Sequence, residues 1–121
     1  MPNVDSFSLP REWVPEESWA LVEAVRGWAD REAIPVRQQI DEDWETHGIV
    51  NPLLKSLCVD LGYQQANWPE EYGGLGIDAI TSCLLLEEIS RADSGLATAA
   101  SCSTWAMTPI FPPDQNSALM E

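Results

Sequence analysis

Apolar residues recur with a helical period along most of the chain. Trp19, Val22 and Ala29 fall on one face, with Leu21, Val25 and Trp28 beside them, which predicts an amphipathic helix. Pro15-Glu16-Glu17 opens it: proline suits a first turn, and the acids complement the positive end of the helix dipole. Pro35 falls inside the pattern, so a kink or a split is expected there. Beyond it Val36, Ile40 and Trp44 continue at i, i+4 and i+8. Asp41, Glu42, Asp43 and Glu45 take the solvent side, and Gly48 ends the segment. A second helix is punctuated by Asn51 as N-cap, Pro52 at the first helical position and Gly62 as the C-terminal stop. Leu53, Leu54, Leu57, Cys58 and Leu61 form its apolar stripe.

Residues 63–77 read as a loop in which Gly73, Gly74 and Gly76 allow positive φ and close backbone approach. No strand precedes these glycines and no lysine follows them, which excludes a nucleotide-phosphate loop. Asp78 is placed to cap a third helix. Ile80, Cys83, Leu84, Leu86 and Ile89 make it apolar on most sides, so it should be largely buried. Glu87 and Arg91, four residues apart, predict a helical ion pair. Asp93-Ser94-Gly95 is a break, and a helix of small residues follows from Leu96 to about Met107, ended by Pro109. Pro112-Pro113-Asp114 restarts a helix over Gln115 to Glu121. Its apolar residues Ala118, Leu119 and Met120 belong to an unfinished pattern, so the chain is expected to be a fragment of a longer polypeptide. No segment reads as a strand. The expectation is an all-α fold: a bundle of about four to five helices over residues 15–121. Residues 1–14 form an irregular arm that Phe7, Leu9 and Trp13 could anchor.

Composition narrows the function classes. The 121 residues have room for one compact domain, and 45% of them are hydrophobic, enough for a core. Six cations against 20 acids leave a net charge of −14. That excludes a free-standing nucleic-acid binder and argues against docking on an anionic membrane. Neither a membrane-spanning run nor a secretory leader is present, so a cytoplasmic protein is expected. Cys58, Cys83 and Cys102 are unpatterned and sit among apolar neighbours, which predicts three reduced, buried thiols. His47, just before Gly48, reads as a helix-terminal cation, and one histidine without clustered cysteines gives no metal site. Six tryptophans are many for this length, so several should be partly exposed unless other domains or subunits cover them.

Four segments, in order and at matching spacing, carry a resemblance. Arg31-Glu32-Ala33-Ile34-Pro35 lies in the kinked first helix and leads into an acid-rich stretch. Trp68-Pro69-Glu70-Glu71-Tyr72-Gly73-Gly74-Leu75-Gly76 is similar to a P-E-x-Y-G-G-x-G turn. Glu87-Glu88-Ile89-Ser90-Arg91-Ala92-Asp93-Ser94-Gly95 is similar to an E-E-x-x-R-x-D-x-G segment, and the small-residue helix with Pro109-Ile110 follows. Together, over roughly residues 16–121, they resemble the N-terminal helical domain of the flavin-dependent acyl-CoA dehydrogenases.

The resemblance implies a three-domain enzyme, usually a tetramer, that binds FAD. A glutamate removes the α-proton of an acyl-CoA while the β-hydride passes to the flavin, and an electron-transfer flavoprotein takes the electrons. In that family the middle and C-terminal domains supply nearly all flavin contacts and the catalytic base. No glutamate here matches that base, so no catalytic residue is assigned and the chain alone is expected to be inactive. The N-terminal domain forms one wall of the acyl pocket, and the resemblance places Ala97, Thr98 and Ser101 there, with Ala100 and Trp105 as further neighbours. Where relatives acting on dicarboxylic acyl groups carry an arginine, Ala97 stands here, which points to a neutral short or branched acyl group. The alternative is a non-catalytic helical module that keeps the scaffold for oligomerisation or partner binding. An independent small enzyme built on Cys58 or Glu87 has little behind it.

Overall fold

The computed structural model describes residues 10–110, apart from the side chain of Thr108. The segment 115–121, expected to be helical, and the anchors Phe7 and Leu9 lie outside the described residues. Five α-helical segments follow one another, with no strand among the described residues. After a 3₁₀ turn at Arg11–Trp13, α1 runs over Glu16–Trp28. It continues through a π turn at Ala29–Ala33 and a 3₁₀ turn at Ile34–Val36 into α2, Arg37–Glu42. Next comes α3, Val50–Lys55, extended by a second π turn at Ser56–Asp60. Two 3₁₀ turns, Tyr63–Gln65 and Glu70–Tyr72, lead to α4, Ala79–Ala92, and α5, Ser94–Met107.

The kink falls where Pro35 demands it. The proline cannot donate to the i−4 carbonyl, and the helix is rewound locally by the π and 3₁₀ turns before α2. α1 buries Val22, Val25 and Trp28 against α4, which offers Leu84, Leu85 and Ile89. The Trp28 indole N–H donates to Ser56 Oγ at 3.1 Å, and the Ser56 hydroxyl donates to Glu32 at 2.7 Å. One serine thus ties the two π turns together.

Charged side chains close the α1–α4 seam. Arg26 pairs with Glu88 at 2.9 Å, and Arg91 holds both Glu88 at 3.1 Å and Asp30 at 2.8 Å. This corrects the expected Glu87–Arg91 pair: Glu87 faces solvent, while Glu88, one residue on, turns towards α1. Arg37, swung over by the kink, donates to the carbonyls of Ala92 and Arg91 at 2.7 and 2.9 Å. It thereby satisfies acceptors that the end of α4 leaves open.

The link between α2 and α3 differs from its expected form. α2 stops at Glu42, because the Asp43 carboxylate accepts the Thr46 hydroxyl and the Ile49 N–H and so offers the backbone a turn instead of another helical step. Asp43 therefore prepares the start of α3, and Asn51 lies inside its first turn rather than capping it. His47 sits in this turn with φ +55°, not at a helix end. Trp44, having left the helix, is 70% exposed. Trp13 is exposed as well, and Val14 is the buried anchor of the arm's end. The punctuation by Gly62, at φ +85°, and by Asp78, which accepts the Thr81 N–H at 2.7 Å, is as expected.

Candidate functional site

α5 carries no charged side chain over its 14 residues, in a chain of net charge −14. Asp93 caps it, accepting the Leu96 N–H at 2.7 Å. The helix has two unlike faces. Leu96, Ala97, Ala100, Ser101 and Thr104 turn inward, where small side chains let α5 lie close to α4 and to the turn at Tyr63. Thr98, Ala99, Cys102 and Trp105 turn outward. Thr98, Cys102 and Trp105 recur at i, i+4 and i+7, an uncharged strip of about 10 Å along the axis.

The three residues proposed from sequence therefore divide. Ala97 and Ser101 are both 2% exposed and belong to the interior. Thr98 lies on the outer face, its hydroxyl donating to the Ser94 carbonyl at 3.0 Å. Ala100 is fully buried and Trp105 is 58% exposed. Ser101 meets the Tyr63 hydroxyl at 3.2 Å, a buried pair that helical periodicity gives no sign of, since Tyr63 sits in a turn 38 residues earlier. Burial pushes the Tyr63 phenol up, and burial likewise raises the Cys58 thiol. Burial thus disfavours the thiolate form of Cys58. Cys83 and Cys102 are exposed, contrary to the expected burial, because their helices turn Leu84, Leu85, Ala100 and Ser101 inward instead.

A second feature lies between distant segments. The first turn of α1 and the loop before α4 enclose a cleft of about 370 Å³, walled by Leu21, Leu75 and Ile77 and rimmed by Glu17, Glu70 and Asp78. The loop that shapes it is tightly knit. Gly76 and Ile77 donate to the carbonyls of Trp68 and Ala66 at 2.9 and 3.1 Å, and Gly73 and Gly76 adopt positive φ. A Cβ at Gly74 would sit 2.1 Å from the Trp68 carbonyl oxygen, so only glycine fits. These bonds hold Leu75 at the surface, 53% exposed. The Thr81 N–H, bonded to the Asp78 carboxylate at 2.7 Å, helps to hold that carboxyl below its ordinary range.

Neither feature fits a flavin dinucleotide. Its diphosphate needs cations or free N–H groups, whereas the cleft is rimmed with carboxylates and α5 offers no cation. Four of the six cations are already occupied: Arg11 by Glu16, Arg26 by Glu88, Arg91 by Glu88 and Asp30, and Arg37 by carbonyls. Among the described residues no group of histidine, cysteine, aspartate and glutamate is placed to hold a metal ion, and no helix is long and apolar enough to cross a membrane.

Comparison with known proteins agrees with the motifs. Residues 15–112 match the family model described as acyl-CoA dehydrogenase, N-terminal domain. A probable acyl-CoA dehydrogenase, fadE25, of Mycobacterium bovis is 32% identical over 93 residues, which is 77% of this chain and 22% of that protein. The cyclohex-1-ene-1-carbonyl-CoA dehydrogenase of Syntrophus aciditrophicus is 37% identical over 68% of this chain and 19% of its own. The mitochondrial short-chain specific acyl-CoA dehydrogenase of Mus musculus is 33% identical over 65% of this chain and 18% of its own. The match thus spans about a fifth of the length of these relatives. No solved structure matches the chain at a significant level. With its helical architecture and ordered motifs, the chain belongs to the acyl-CoA dehydrogenase family, in which it corresponds to the N-terminal domain.

Proposed function

We propose that this chain is the substrate-pocket domain of a flavin-dependent acyl-CoA dehydrogenase, which oxidises an acyl-CoA to the 2,3-enoyl-CoA. The observation that carries the reading is the outer face of α5: uncharged, made of small residues and Trp105, and exposed on a strongly acidic domain. Thr98 is the residue of that face that meets the acyl chain. Ala97 and Ser101 act from beneath, fixing the helix against the bundle and so setting where the wall stands. A wall without cations suits a neutral acyl group, since a distal carboxylate would be desolvated there without a partner.

FAD and the catalytic glutamate belong, on this reading, to middle and C-terminal domains of the longer enzyme, or to other subunits of a homo-oligomer. FAD supplies the redox chemistry when bound there, and this domain contributes shape and exclusion of water. Two experiments test it. The purified chain mixed with FAD leaves the flavin spectrum unperturbed, and stoichiometric uptake would overturn the assignment. In the longer enzyme, Thr98→Arg lowers kcat/KM for neutral acyl-CoA at least tenfold and shifts preference towards dicarboxylic acyl groups, with flavin content and circular dichroism intact. An unchanged preference removes α5 from the pocket.

A second reading, partner binding, is favoured by the cleft. Its apolar walls face outward and suit an apolar side chain of another protein, with the acid rim selecting a neighbouring cation. The electron-transfer flavoprotein implied by the family is the candidate partner. Leu75→Ser weakens electron transfer to that protein while leaving reduction of the bound flavin by substrate unchanged. Equal transfer rates in the two proteins would exclude the cleft.

A further inference from the structure

We draw no further inference here: the strongest candidate, the acid-rimmed cleft between the first turn of α1 and the loop preceding α4, belongs to the site already described.

Discussion

Along the α1–α4 seam, Arg26, Asp30, Glu88 and Arg91 neutralise one another, and Arg37 closes the end of α4. Along the outer face of α5 there is no charge at all, and Trp105 lies open. The two sides spend the same short helices differently. The seam is complete within this chain, because its polar groups find their partners there. The outer α5 face has no such partners among the described residues, and it leaves uncharged surface, the Trp105 ring included, open to water.

The sharpest way to break this contrast is to place one charge on each face of α5. Ala97→Arg forces an unpaired cation into a full interior and should unfold the domain, seen as loss of the cooperative melt in circular dichroism. Thr98→Arg, one residue on, should change stability by no more than about 0.5 kcal/mol. If the two are equally disruptive, α5 does not have an inner and an outer face.

Gly74→Ala comes next. Its Cβ collides with the Trp68 carbonyl, and the loop cannot yield without breaking the bonds that hold Leu75 and Ile77. A loss of about 3 kcal/mol in urea unfolding is expected, together with loss of any partner binding at the cleft. Tyr63→Phe leaves the Ser101 hydroxyl buried and alone and should cost about 1–2 kcal/mol. The double variant Tyr63→Phe with Ser101→Ala should recover part of it.

At the seam the effects are smaller. Arg91→Met should cost about 1 kcal/mol at low ionic strength and less at 0.5 M salt, because Asp30 is half-exposed and screening acts on it. The same substitution should leave anything bound to α5 unaffected. The smallest signal concerns acid. Thr46 and the Ile49 N–H hold the Asp43 carboxyl below its ordinary value, as Thr81 holds that of Asp78. A carboxyl depressed in the folded state contributes its stability above the unfolded value, about pH 4, and loses it as pH falls through the folded value. Asp43→Asn with Asp78→Asn should therefore flatten the melting temperature between pH 4 and the acid end of the titration. A slope equal to that of the unmodified protein would show that other carboxylates govern acid stability.

Much of the architecture is local and therefore legible in the chain. Pro35 enforces its kink wherever the helix lies, Gly62 ends a helix by its own left-handed backbone, and Asp78 caps α4 through an atom three residues away. Long-range choices are not written in any window. Trp44 keeps the helical spacing yet leaves the helix, because Asp43 finds a better set of donors in the turn ahead. Glu88 rather than Glu87 meets Arg91, because Arg26 from α1 and Asp30 from the π turn after it approach on that side.

The sequence by itself determined that the chain is helical, where its helices break and which family its motifs belong to, because these depend on backbone propensity, capping and the order of short segments. Which face of α5 is left open, what Ser101 bonds to, and that a cleft joins residues near 17 and 75 were decided only in the folded molecule. A helix of mostly small, uncharged residues has no strong periodicity to orient it, so its rotation was fixed by Tyr63, α4 and the turn that presses on it.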